Sequence, residues 1–242
     1  MPSTDYSRLD YRRWTPLQRV LRRIFRLLAR LTLRVHVEGL EGFPQAGPLI
    51  VAPNHIHLFD VPLLFCYLPR RTVVFVADKW RRVPVANWLL GRVGNGIWVQ
   101  RGAPDRRALR AALQVLRRGG VLGVAPEGTR SRTGGLQPGR PGIAYLATQA
   151  PAPILPVALF GQEKATACWQ RLRRPEVHVR FGEPIHLPPG RHRMEELEAY
   201  TQEVMVALAR LLPPEYRGVY AERVTPCPVE AGETAPMDRR TR

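Results

Sequence analysis

The residues best suited to chemistry lie in one short stretch, Pro53-Asn54-His55-Ile56-His57-Leu58-Phe59-Asp60. A histidine and an aspartate close in sequence suit an acid–base pair. The carboxylate can hold one imidazole nitrogen while the other faces a substrate. On a regular helix five residues turn through about 500°, which would point the two side chains apart. The flanking sequence removes that objection. Pro48-Leu49-Ile50-Val51-Ala52 is an apolar run of the kind that forms a buried strand. Val61-Pro62-Leu63-Leu64-Phe65 reads as the opening of a helix, with proline tolerated in its first turn. His55 and Asp60 therefore fall in a strand-to-helix turn, where α/β folds gather functional groups.

Plainer readings stand beside this one. Asp60 would also serve as the N-cap of the helix beginning at Val61, and His55 as a structural loop histidine. His55, His57 and Asp60 loosely resemble the His-x-His-x-Asp-His set of metallohydrolases. The terminal Asp-His pair is missing, and His36, His178, His186 and His192 stand apart in the sequence. A zinc ion would lack its ligand set, so no metal is expected.

Two further stretches follow predicted strands. Gly96 to Val99 leads through Gln100 to Arg101, and Val121 to Ala125 leads to the loop Pro126-Glu127-Gly128-Thr129-Arg130-Ser131. Arg101 and Arg130 each offer a planar fork for a phosphate. Gly128 allows close backbone approach, and its neighbours can turn N–H groups to an anion. Thr129 adds a hydroxyl. Glu127 could bind a polyol hydroxyl or hold an arginine. Taken singly, each fits a solvated surface residue or a turn. At three strand ends together they suggest one site for a phosphorylated substrate.

The elements that must position these groups follow from periodicity. Strands are expected near residues 33–37, 48–52, 72–76, 96–101, 121–125, 154–159 and 176–181. Helices are expected over 84–93, 105–118, 139–149 and 194–212. Strands alternating with helices predict an α/β fold, a mixed central sheet flanked by helices. Pro156 suggests a strand end or sheet edge there. Ahead of this domain, Leu17, Val20, Leu21, Ile24, Leu27, Leu28 and Leu31 line one face of a helix from Pro16 to Arg34. Arg19, Arg22, Arg23, Arg26 and Arg30 occupy the other. Such a basic amphipathic helix suits a membrane interface, or an ordinary packed helix with its arginines in solvent. Beyond Pro213 the chain is proline-rich and charged, which predicts disorder over 213–242.

The formal net charge of +17 over 242 residues calls for an anionic partner: nucleic acid, anionic lipid or phosphorylated substrates. Lys79 and Lys164 are the only lysines, so arginine carries nearly all of it. Cys66, Cys168 and Cys227 are few and far apart, which argues against a disulfide framework or a zinc cluster and fits a reducing compartment. No apolar run reaches the length of a spanning helix, and no signal peptide is visible.

With these stretches in hand, the sequence resembles the glycerolipid acyltransferases typified by 1-acylglycerol-3-phosphate acyltransferases. His55 and Asp60 match the family's His-x4-Asp block. Gly96 to Arg101 matches a second block, ending in a substrate-binding arginine. Pro126 to Ser131 matches a third, Pro-Glu-Gly-Thr-Arg-Ser, and Ile154-Leu155-Pro156-Val157 a fourth. The blocks stand in the family's order across Leu33 to Gly161. His57 and Ala125 depart from it, since many members carry serine and phenylalanine there. The resemblance implies His55 and Asp60 as the catalytic pair, with Arg101, Glu127, Gly128, Thr129 and Arg130 binding substrate. It implies a helix over residues 1–34 on the cytoplasmic face of the membrane, and an acyltransferase domain over 35–212. It also implies acyl transfer from acyl-CoA or acyl carrier protein to 1-acyl-sn-glycerol 3-phosphate, or to another polar lipid, with no further cofactor. The alternative from another class is a nucleic-acid-binding protein. Against it, none of the common nucleic-acid motifs is present, and a continuous leucine face serves lipid rather than DNA.

Overall fold

Alternating apolar residues set the architecture, because successive side chains of a strand face opposite sides of the sheet. In the computed structural model, which describes Tyr6 and residues 9–11, 13–94, 96–99 and 105–224, seven strands form one mixed sheet. They are β1 (Arg34–Glu38), β2 (Leu49–Pro53), β3 (Thr72–Ala77), β4 (Ile97–Val99), β5 (Val121–Gly123), β6 (Ile154–Phe160) and β7 (Glu176–Phe181). Their order is β1-β7-β6-β2-β5-β3-β4. Every pair is parallel except β6 with β7. The central strands β2 and β6 are buried along their whole length, as parallel strands covered on both faces must be.

Helices cover both faces. On β2, Ile50 and Ala52 face one core together with α4 (Arg106–Arg117) and α5 (Gly142–Gln149). Leu49 and Val51 face the other, with α1 (Pro16–Thr32), α2 (Asp60–Tyr67) and α6 (Ala165–Gln170). The last helix, α7 (Met194–Arg210), closes the first face beside β6. Asp105 caps α4 by accepting from Arg107 N and Ala108 N, both at 3.0 Å. The helix expected over 84–93 is divided: α3 (Pro84–Asn87) is followed by a wider π-helical turn, Trp88–Val93.

Three expectations are corrected. Pro156 lies not at an edge but in β6, between β7 and β2. The β6–β7 register stops at Val157↔Phe181, and the Pro156 carbonyl accepts from Gly182 N at 2.9 Å, just past that ladder. Proline is tolerated there because no ladder hydrogen bond is asked of its nitrogen. Disorder is expected from residue 213 on the sequence, but the described residues up to Val224 are folded onto the domain. Pro214–Tyr216 and Gly218–Arg223 form short 3-10 turns, and Tyr216, Tyr220 and Val224 are buried against α7. These three apolar anchors were hidden by the prolines and charges around them. The rest of the expected tail, 225–242, lies outside the described residues.

The third correction concerns α1, whose start is set by a capping box between Thr15 and Gln18 and by Pro16 in the first turn. Its inward face is polar. Arg22 Nε donates to Phe65 O at 2.8 Å, and Arg22 Nη2 to Cys66 O at 3.0 Å and to Leu68 O. Arg26 Nε donates to Cys66 O at 2.7 Å. Two of the five arginines expected to meet lipid thus cap the C-terminal carbonyls of α2, groups that no residue of α2 can satisfy. The Trp14 ring covers the Arg22 guanidinium at 4.3 Å. Burial lowers the Arg22 pKa to about 10, so it stays charged at neutral pH. The outward face carries Leu17, Val20, Ile24, Leu27, Leu28 and Leu31, each 48–64% exposed.

Arg22→Ala is expected to destabilise the protein by about 2–3 kcal/mol, through the charged hydrogen bonds lost and the α2 carbonyls left bare. Arg23→Ala, on the exposed side of the same turn, should change stability by less than about 0.5 kcal/mol. Chemical denaturation of both variants checks this. Equal midpoints would contradict the inward placement of Arg22.

Candidate active site

Three neighbouring strands, β6, β2 and β5, deliver their C-terminal ends to one place. From β2 comes the turn Asn54 to Phe59. Asn54 fastens it to β6, its Nδ2 donating to Leu159 O at 2.8 Å and its Oδ1 accepting from Leu159 N at 2.7 Å. The turn returns Asp60 to His55, and His55 Nδ1 lies 2.7 Å from Asp60 Oδ2.

Asp60 is 1% exposed, and a buried carboxylate must find donors. Ile56 N and His57 N donate to Oδ2 at 2.9 and 3.0 Å, and Gln162 Nε2 donates to Oδ1 at 2.8 Å. α2 begins at Asp60 itself, with no side-chain cap. The carboxylate is turned back onto the loop before it, so the simple N-cap reading does not hold. An acceptor this committed accepts a hydrogen bond from the Nδ1–H of neutral His55, and the imidazole then presents Nε2 as its basic nitrogen. The His55 side chain is 24% exposed, open to a reactant on one side. His57 takes a separate path. Its Nδ1 accepts from Phe59 N at 3.4 Å and its ring packs on Phe59 at 4.9 Å, so it forms no ligand set with His55 and Asp60.

From β5 comes the loop around Glu127, which is also 1% exposed. Its Oε1 accepts from His55 N at 3.1 Å and its Oε2 from Gln137 N at 2.9 Å. Ser131 N donates to His55 O at 2.7 Å. Glu127 is therefore a buckle between two loops, with both its oxygens taken up by backbone N–H groups. Burial raises its pKa, opposed by the Gln137 and His55 N–H groups. The backbone of His55 is thus held on both sides by the β5 loop, while its ring is held by Asp60.

Gly128 turns the same loop with φ 68°, a conformation that favours glycine. A Cβ there would meet Arg140 Cδ at 2.8 Å, so the Arg140 side chain lies across the glycine. Thr129 is half-buried and Arg130 exposed. Arg130 makes no hydrogen bond or ion pair among the described residues, which leaves its fork available to an anion. Arg101 lies outside the described residues. The strand that precedes it in sequence, β4, is at the sheet edge, separated from β5 by β3.

The sequence reading missed Gln162 and Arg140. Gln162 follows β6 after a tight turn at Gly161, where a Cβ would collide with Glu176 O at 2.1 Å. The available signal was position: a polar residue just past the apolar run that pairs with β2. Arg140 had no comparable signal, since it lies nine residues beyond the Pro-Glu-Gly-Thr-Arg-Ser block. The thiol nearest the site in sequence, Cys66, is buried, and burial raises its pKa to about 11. It stays protonated at neutral pH and is a poor nucleophile.

An imidazole oriented by a buried carboxylate, beside a loop whose Arg130 side chain has no partner among the described residues, is an arrangement suited to moving a group onto a hydroxyl. The acyltransferase family model matches residues 34–160, a span holding His55, Asp60 and the Glu127 loop. This chain belongs to the acyltransferase family. It is 30% identical over 215 residues to the lyso-ornithine lipid O-acyltransferase of Pseudomonas aeruginosa, covering 80% of each chain. It is 32% identical over 136 residues to the 1-acyl-sn-glycerol-3-phosphate acyltransferase of Borreliella burgdorferi, covering 53% of this chain and 52% of that one. That match thus spans about half the relative's length. The crystal structure of the 1-acyl-sn-glycerophosphate acyltransferase of Thermotoga maritima is similar with a TM-score of 0.62 and 28% identity, over 78% of this chain and 76% of that one.

Gln162→Leu should lower kcat on the order of tenfold, the loss of one hydrogen bond to a charged group. The acceptor KM should be unchanged, because Gln162 reaches substrate only through Asp60. Steady-state kinetics decide it: an unaltered kcat would show that Asp60 needs no support from β6.

Proposed function

We propose that this chain is an O-acyltransferase that moves a fatty acyl group from a thioester to the hydroxyl of a lyso-lipid. 1-acyl-sn-glycerol 3-phosphate is the first acceptor, with phosphatidic acid as product. The observation that carries the reading is the 2.7 Å contact between His55 Nδ1 and a buried, fully engaged Asp60. Nε2 of His55 removes the acceptor proton as its oxygen attacks the thioester carbonyl. The tetrahedral intermediate then expels the thiolate, which takes the proton from the imidazolium. Holding both reactants beside Nε2 makes the attack effectively intramolecular. Arg130, Arg140 and the backbone near Gly128 bind the acceptor phosphate, and acyl-CoA or acyl carrier protein supplies the acyl group. No step asks for a metal or a further cofactor.

A second acceptor is favoured by one comparison. The relative that spans 80% of both chains is named for lyso-ornithine lipid, whose headgroup carries an amino acid in place of phosphate. The two acceptors differ in what they ask of Arg130 and Arg140: a phosphate needs their forks, an ornithine carboxylate needs at most one of them.

The protein works at a membrane surface, on its cytoplasmic face. Among the described residues no helix is long and apolar enough to cross a bilayer. The six exposed apolar residues of α1 support docking parallel to the surface, with Arg19, Arg23 and Arg30 reaching anionic headgroups.

His55→Ala should lower turnover by about 10²–10⁴, the worth of a positioned general base, while the protein stays folded, its unfolding midpoint lowered by the hydrogen bond lost to buried Asp60. Acyl transfer measured against 1-acyl-sn-glycerol 3-phosphate, lyso-ornithine lipid and glycerol 3-phosphate ranks the acceptors. Arg130→Ala should raise the acceptor KM more for the phosphate lipid than for the ornithine lipid. Turnover surviving in folded His55→Ala would end the mechanism, and activity on none of the three would end the substrate assignment.

A further inference from the structure

Leu172 is the one non-glycine residue with a left-handed backbone among the described residues, at φ 54°, and it is 98% exposed. It sits just past α6, in a turn where Leu172 N donates to Trp169 O and Arg173 N to Cys168 O, both at 2.9 Å. That paired bonding is the common way to end a helix, and its left-handed position ordinarily holds glycine, which has no Cβ to crowd the backbone. A leucine here is unfavourable twice: strained in its backbone, and apolar in full contact with water. A side chain that exposed packs against nothing, so the fold gives no reason for it.

Its surroundings do. Arg171, Arg173 and Arg174 flank it, all exposed. The turn is fastened to the last turn of α1, with Trp169 Nε1 donating to Thr32 O at 3.0 Å and Arg174 Nη2 to Leu33 O at 2.5 Å and to Arg30 O. Leu28 and Leu31, on that end of α1, face outward. On its other side the Trp169 ring lies 5.7 Å from Phe59, the residue before Asp60. A basic, apolar strip thus runs from the end of α1, past Leu172 and Trp169, to the loop of the catalytic pair, where Leu58 is also exposed.

We infer that Leu172 is a second membrane anchor, inserted into an anionic bilayer with Arg171 and Arg173 at the lipid phosphates and Trp169 at the interface. The inference rests on the membrane reading of α1 given above and adds a second point of contact. The apolar face of α1 fixes depth and roll along one line only, and the molecule can still rock away from the surface at the active-site side. A second point beside the active site holds that side down and keeps His55 at the leaflet holding the acceptor.

Full-length wild-type and Leu172→Gly proteins are compared for sedimentation with vesicles of equal parts phosphatidylcholine and phosphatidylglycerol, and for thermal unfolding without lipid. Glycine suits the turn, so the variant should unfold at the same or a higher temperature. It should partition to vesicles roughly five- to tenfold more weakly, as removal of a partly inserted leucine would give. Opposite movements of stability and binding are what a structural role does not produce. A lowered unfolding temperature overturns the inference by making Leu172 a packing residue, and unchanged partitioning overturns it directly. A Leu27→Gln/Leu28→Gln/Leu31→Gln variant separates the two readings. If it loses vesicles while Leu172→Gly does not, only the second anchor falls. If neither loses them, both fall.

Discussion

The structure depends on one buried carboxylate. Asp60 accepts from His55 Nδ1, from Ile56 N and His57 N, and from Gln162 Nε2. A charge removed from water persists only if its lone pairs are filled by donors with good geometry. Here the donors come from the turn after β2 and from the segment after β6, so meeting the demand of Asp60 fixes the path of both. Glu127 does the same for the loop after β5, taking one N–H from His55 and one from Gln137. Two buried acids therefore lock three strand ends together. The imidazole ring is left with one free nitrogen and one open side. The geometry of the His55–Asp60 pair and the path of the loops are set by the same hydrogen bonds.

α1 inverts the usual arrangement of an amphipathic helix, which bears on the proposed membrane docking. In a helix packed on a soluble domain the apolar stripe faces the core. In α1 the core-facing side carries Gln18, Arg22 and Ala29, and the leucines face away. The arginines are usable inside because α2 ends against them, presenting carbonyls that need donors. The apolar side is thereby released for a partner, and a lipid surface fits its length, its shape and the flanking charge. The same logic of an apolar group placed where water is the only neighbour recurs at Leu172.

Much of this was legible in the sequence, for identifiable reasons. The pair His55 and Asp60 could be read because a strand-like run before it and a helix opening after it imply a turn between. The central strands could be read because full burial leaves unbroken apolar runs. What escaped depends on tertiary contacts. The structural part of Glu127 is invisible until the depth of its loop is known, since only burial turns both its oxygens inward. Gln162 is an unremarked glutamine until β6 is placed beside β2. The inward arginines of α1 share their spacing with outward ones, and only the position of α2 separates them. Pro156 misleads because proline excludes a ladder bond, not a central strand whose ladder happens to stop there.

The central claim is that Asp60 fixes His55 as the tautomer with its proton on Nδ1, leaving Nε2 as the base. The most direct test is the ¹⁵N spectrum of the histidines in the resting protein, recorded at a pH where the His55 imidazole is neutral, with His55 assigned by its loss in His55→Gln. The account predicts a protonated, strongly hydrogen-bonded Nδ1 and a bare Nε2. A proton found on Nε2, with Nδ1 bare against Asp60, would contradict it.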